Sequence, residues 1–193
     1  MIATVLRAAD RADQPWKNGG GRTREVIVSP PSGVTTAFDW RLSMADVKAA
    51  GPFSSFPGID RTLRVLDGHL ELSFADRAPP QVLTPDTAAL DFPGDVIVTG
   101  RPLGGPVLDL NLMVRRGAYR GSIRRHPAGV MSAAEGHVAA LLLFALKPTT
   151  ARIGDRTYAL DRFDALQLNP PRRSDPFTVD QPVLIVRIDP WGV

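Results

Sequence analysis

The 193-residue chain contains no cysteine. That absence excludes a disulfide framework, a thiolate nucleophile and any sulfur-ligated metal. Imidazole is almost as scarce, with three histidines at 69, 126 and 137, none of them paired at ligand spacing. The longest apolar run, Val138 to Leu146, ends at Lys147 and is far too short to cross a bilayer as a helix. The opening "MIATVLRAADRAD" lacks the basic start, apolar stretch and small-residue cleavage site of a secretion signal, so a cytoplasmic location is expected. Charge of one sign is lacking too: the net charge is +3, and acidic residues are spread among the arginines. No helix-turn-helix, zinc-finger or RNP pattern accompanies the arginine pairs, so neither a nucleic acid nor a membrane is expected as partner.

What the sequence has is punctuation. Eighteen prolines and seventeen glycines separate short segments of alternating apolar residues, among them "TREVIVS", "FDWRLSMADV", "RTLRVL", "HLELSF", "VLDLNLMV" and "PVLIVRID". Many short strands between turn signals indicate an all-β sandwich or barrel. No strand-helix-strand rhythm supports a doubly wound nucleotide fold. The best helical candidates are "MSAAEGHV", with Ser132 as cap, and "MADVKAAG". "LRVLDGHLEL" and "ARIGDRTYAL" read as hairpins turning at Asp67-Gly68 and Gly154-Asp155. "RAPPQVLTPDT" and "LNPPRRSDP" read as exposed connections, because proline opposes strand pairing. A faint duplication divides the chain into residues 1–118 and a shorter 119–193, the latter needing N-terminal strands to complete it.

"PWKNGGGRTREVIV" raises the question of a phosphate cradle. A phosphate loop needs lysine and a hydroxyl residue after the glycines, then a helix. Here Lys17 precedes the glycines and a β-forming run follows, so Gly19 to Gly21 instead form a bend or bulge that starts a strand. Trp16 and Asn18 flank it, either as an apolar wall and an amide at a pocket rim or, for Trp16, as packing.

The blocks "PWKNGGGRTREV", "FDWRLSMADVKAAGPFSSFPGIDRTLRVLDG", "FPGD" and "LDLNLMVRRG", in this order and spacing, resemble the HutD/Ves family of bacterial bicupins. The resemblance is strong over residues 1–118 and general beyond. It implies two cupin-like antiparallel β-barrels or jelly rolls packed as one compact unit. It also implies association with histidine utilisation and binding of a metabolite such as urocanate or formylglutamate to restrain induction. The Ves branch is linked to cold-responsive expression. A metal cupin would carry His-x-His with a downstream glutamate and a later histidine. This chain keeps the "FPGD" turn but not the histidines, and His69 with Glu71 is too small a ligand set, so no metal and no cofactor is expected.

Strand alternation places Asp109, Asn111, Met113 and Arg115 on one face, and Asp39, Arg41 and Ser43 on another. Arg61 shares its face with Ile59 and Leu63 rather than with Asp60. These polar faces either meet solvent or point into a barrel mouth; the resemblance favours the second. Arginine recognises a carboxylate through two parallel hydrogen bonds, which makes Arg24, Arg41 and above all Arg61 the candidate readers of a small carboxylate metabolite. The candidate ligand-binding set is Trp16, Asn18, Arg24, Arg41, Ser43, Phe56, Arg61, Asp109, Asn111 and Met113. Of Phe53 and Phe56, one is expected to close the core. No catalytic residue is assigned. An Asp60 or Asp109 acid-base enzyme and an oligomerising scaffold, for instance a homodimer paired through strand edges, stay open as alternatives.

Overall fold

In a computed structural model the described residues are 2–16, 19–30, 38–131, 138–169 and 176–192. Among them the chain is built from strands, with one three-residue 3-10 turn at Ala8–Asp10. The strands in order are β1 (Ile2–Leu6), β2 (Asp13–Pro15), β3 (Gly21–Ser29), β4 (Trp40–Val47), β5 (Gly51–Pro52) and β6 (Ile59–Phe74). Next come β7 (Arg77–Leu83), β8 (Leu90–Pro93), β9 (Val98–Arg115), β10 (Tyr119–His126), β11 (Gly129–Met131) and β12 (Ala140–Ala145). The last are β13 (Thr149–Ile153), β14 (Arg156–Leu160), β15 (Ala165–Asn169), β16 (Phe177–Val179) and β17 (Val183–Pro190). The all-β class is as expected. "MADVKAAG" is not helical, because its first four residues complete β4. Most of "MSAAEGHV" (132–137) and of "LNPPRRSDP" (170–175) lies outside the described residues.

Two compact units emerge, one of residues 12–118 and one joining the chain up to Arg11 with the chain from Tyr119 onward. The first segment is therefore 12–118 rather than 1–118. In the unit that contains the C-terminal half, β1 pairs antiparallel with β15, Leu6 facing Ala165. A sheet of order β1-β15-β12-β17-β10 and another of order β11-β16-β13-β14 share one core, with Leu141, Leu143 and Leu166 from the first and Ala151, Ile153 and Phe177 from the second. Two sheets closing on one core make a jelly-roll sandwich. Strand β12 has no alternation in "ALLLFA" because all six residues are buried, as in a central strand covered on both faces. Asp164, 1% exposed, fastens the N-terminal segment by accepting from the Ala8 N–H and the Arg7 guanidinium, both at 2.7 Å. The expected hairpin at Gly154-Asp155 joins β13 to β14.

The unit of residues 12–118 has one sheet of order β2-β3-β4-β9-β6-β7, with β5 added to β9 and β8 to β6. Its order does not close on itself. The expected hairpin at Asp67-Gly68 is absent, since β6 runs straight through, paired with β9 from Ile59 opposite Arg115 to Phe74 opposite Val98. The register slips on either side of Asp67. Gly68 has φ +80, and a Cβ there would lie 2.7 Å from the Pro106 carbonyl oxygen. This is a bulge that bends the ladder rather than a turn that ends it. Leu63 and Val65 before the bend thereby share a core with Leu70 and Leu72 after it, together with Val47, Phe92 and Val98. Pro79-Pro80, expected in a connection, lies inside β7. That strand is the sheet's edge, and the prolines occupy the register irregularity between Gln81 opposite Leu72 and Arg77 opposite Phe74, where missing N–H groups cost little.

Candidate functional site

The site is a register effect. Met113 on β9 stands between Arg41 on β4 and Arg61 on β6; Asn111 stands between Ser43 and Leu63; Asp109 stands between Ala45 and Val65. Directly opposed residues of antiparallel strands project from the same side. Arg41, Ser43, Arg61, Asp109, Asn111 and Met113 therefore share one face at the centre of the sheet. That face does not meet solvent, for all six residues are buried.

Arg61 is 4% exposed. Its guanidinium lies over the rings of Phe53 and Phe92, 5.0 and 5.1 Å from their centroids, an arrangement that attracts a cation to aromatic faces. Among the described residues it makes one long hydrogen bond, 3.4 Å to the Ser54 carbonyl, and its buried Nε has no partner. Burial lowers its pKa to about 10, against the pull of Asp109 and with help from the Arg41 charge. Asp109 is 1% exposed and neither carboxylate oxygen is hydrogen-bonded. Burial pushes it up to about 7, restrained by Arg61 and assisted by Asp46. Asn111 Oδ1 is likewise buried without a partner. Arg41 differs: its Nε donates to Glu25 Oε2 at 2.9 Å.

Trp16 joins this face indirectly. Its indole N–H donates to Thr23 Oγ1 at 2.8 Å, and Thr23 lies opposite Ala45, which itself lies opposite Asp109. The ring packs on the same core as Phe53 and Val65. The glycines serve this placement: Gly19 donates to the Trp16 carbonyl, Trp16 donates to that of Gly21, and a Cβ on Gly21 would sit 2.2 Å from the Asp46 carbonyl oxygen and 3.0 Å from the indole. The triple glycine is thus the tight link between β2 and β3, and a strand, not a helix, follows it. Asn18 lies outside the described residues. Phe56 packs with Phe38, Ile59 and Met113 at the Met113 end, while Phe53 packs into the main core.

Arg24 is not brought to the cluster. It opposes Met44, on the other side of the sheet, where it shares Asp46 with Arg22 at 2.5 and 2.7 Å. Asp60 also faces away from Arg61 and pairs with Arg116 at 2.7 Å, which removes it as an acid-base partner of this site. Glu71 is held by Arg101, and among the described residues no three His, Asp or Glu side chains are placed to hold a metal. Three contributors escaped the sequence reading: Glu25, Thr23 and Phe92. Thr23 and Glu25 alternate with Arg24, so parity alone carried the signal once the inward face of β3 was known.

The sequence profile of the HutD family matches residues 8–184. The chain belongs to the HutD family. An uncharacterised 21.2 kDa protein in the hutC 3' region of Pseudomonas putida is 38% identical over 120 residues, 62% of each chain. Protein Ves of Citrobacter koseri is 34% identical over 110 residues, 56% of each. The chain thus spans less than two thirds of these curated relatives. HutD from Pseudomonas fluorescens SBW25, solved in a formate condition, superposes with a TM-score of 0.84 at 28% identity, over 99% of this chain and 100% of that one. Oxalate decarboxylase from Bacillus subtilis superposes at 0.64 with 8% identity, over 98% of this HutD-family chain and 78% of the decarboxylase. That likeness speaks for a cupin-like fold alone.

Proposed function

We propose that this HutD-family protein binds a small carboxylate metabolite of the urocanate or formylglutamate type without a metal, and in the cytoplasm senses or buffers it to regulate histidine utilisation. The observation that carries the reading is Arg61: a desolvated guanidinium on an inward face, flanked by two aromatic rings, with Nε free to donate. A guanidinium in that state gains most from an anion that takes two parallel N–H bonds. The P. putida relative's place in the hutC 3' region supports the pathway. Calorimetry with urocanate and formylglutamate tests it. Saturable binding that Arg61→Gln removes supports the proposal; binding unaffected by that substitution ends it.

One observation favours a second reading. A carboxyl at about 7, as for Asp109, is poised for proton transfer near neutrality. Following the same acids by NMR distinguishes the two readings, since product that disappears in Asp109→Asn makes the protein an enzyme.

A further inference from the structure

Asp109 is what a carboxylate-binding Arg61 leaves unexplained. Its two oxygens and the Oδ1 of Asn111 are buried acceptors without partners, and buried polar atoms are costly until something completes them. A bound carboxylate cannot do so while Asp109 is ionised, because it offers lone pairs only. Set against Asp109 it would add acceptor to acceptor. What these oxygens need is an N–H or O–H. They also lie away from Arg61 along the sheet: Arg61 faces Met113, four residues from Asp109, about 13 Å at strand spacing, and the long arginine side chain covers part of that span. The row between them is Ser43, Asn111 and Leu63, with Ala45 and Val65 flanking Asp109, so the ground from Arg61 to Asp109 mixes polar and apolar side chains.

We infer that the site takes a bifunctional acid, one whose carboxylate rests on Arg61 and whose far end presents an N–H or O–H donor to Asp109 and Asn111. The inference rests on the reading of Arg61 given above. Asp109 is then the specificity-determining residue, since a site with buried acceptors rejects an analogue that leaves them unmet.

The test compares three probes on the full chain by calorimetry at about pH 8, where a carboxyl titrating near neutrality is mostly ionised. Urocanate carries a ring N–H, furylacrylate matches its size and planarity but has a ring oxygen instead, and acrylate is the acid alone. Urocanate is expected to bind the native protein at least about tenfold more tightly than furylacrylate. Asp109→Leu, which removes the two carboxylate acceptors and leaves Asn111 Oδ1, is expected to cut that discrimination severalfold while furylacrylate stays bound. A second measurement needs no variant: the ring N–H of nitrogen-labelled urocanate should move downfield and be protected from exchange in the native complex. Equal affinity for urocanate and furylacrylate, discrimination undiminished in Asp109→Leu, or a freely exchanging ring N–H each overturns the inference and leaves the role of Arg61 standing. Failure of all three acids to bind overturns both.

Discussion

Arg61 and Asp109 project from neighbouring strands onto one buried face, yet no hydrogen bond joins guanidinium to carboxylate. Each still feels the other, since Asp109 works to keep Arg61 charged and Arg61 works to keep Asp109 ionised. Opposite charges held apart in a dry interior are unfavourable for the empty protein. The same separation leaves both groups available to something placed between them.

Replacing Arg61 by methionine keeps an unbranched side chain against Phe53 and Phe92 and removes the charge. Acid affinity is expected to fall at least a hundredfold, the loss of two charge-assisted hydrogen bonds. Arg24→Gln should change affinity by less than about twofold, because Arg24 lies on the other side of the sheet and is held there by Asp46. Calorimetry on both variants checks the contrast, and equal losses would put the site elsewhere.

Asp109 predicts an unusual pH dependence of stability. Its carboxyl rises from 3.8 to about 7 on folding, so between those values the folded chain holds a proton the unfolded chain has lost. Stability therefore falls as pH rises from about 4 to about 7 and stays low above. A displacement of that size corresponds to about 4 kcal/mol. Asp109→Asn cannot ionise. In urea unfolding without ligand it should exceed the native protein by several kcal/mol at pH ~8 and show no such advantage near pH ~4. A constant difference across that range would contradict the assignment.

Gly100 carries the ring of Phe53, and a Cβ added there would meet its Cε2 at 2.4 Å. Phe53 is half-buried and can swing outward, so Gly100→Ala should strip one ring from Arg61 without unfolding the sheet. Acid affinity is expected to drop about three- to tenfold, the worth of one cation-π contact, with a small change in Tm.

Gly21→Ala strikes backbone instead of a movable ring, because its Cβ would lie 2.2 Å from the Asp46 carbonyl oxygen. We expect a loss of about 1–3 kcal/mol and a red-shifted Trp16 emission as the indole leaves its bed. An unshifted spectrum would show that the link tolerates a side chain.

Alternation made much of the central face legible in the sequence. Asp109, Asn111 and Met113 on one strand, and Arg61 beside Leu63 on another, follow from a period of two. What surrounds Arg61 did not follow, because its two aromatic neighbours arrive by long-range pairing. Phe92 reaches it through β8 lying on β6, and Phe53 through a segment pinned to β9 by a bond from its N–H to the Val98 carbonyl. The side of the sheet on which Arg24 lies was not legible for the complementary reason. Parity says that Arg24 opposes Thr23 and Glu25, but not which of the two sides is the inward one. Local chemistry also misled at Asp67-Gly68, where the usual hairpin dipeptide is compatible with a bulge, and only the close approach of Pro106 decides between them.

Strand β1 has a consequence for biosynthesis. Ile2–Leu6 finds its partner at Ala165–Asn169, and everything from Ala12 to Ala118 belongs to another unit. During synthesis β1 cannot pair with β15 until residues 12–118 have been translated and are free to fold. The unit that contains β1 is thus completed only after residues 12–118 have been made, and errors of pairing during that interval bear on the C-terminal sandwich rather than on the strands that carry Arg61.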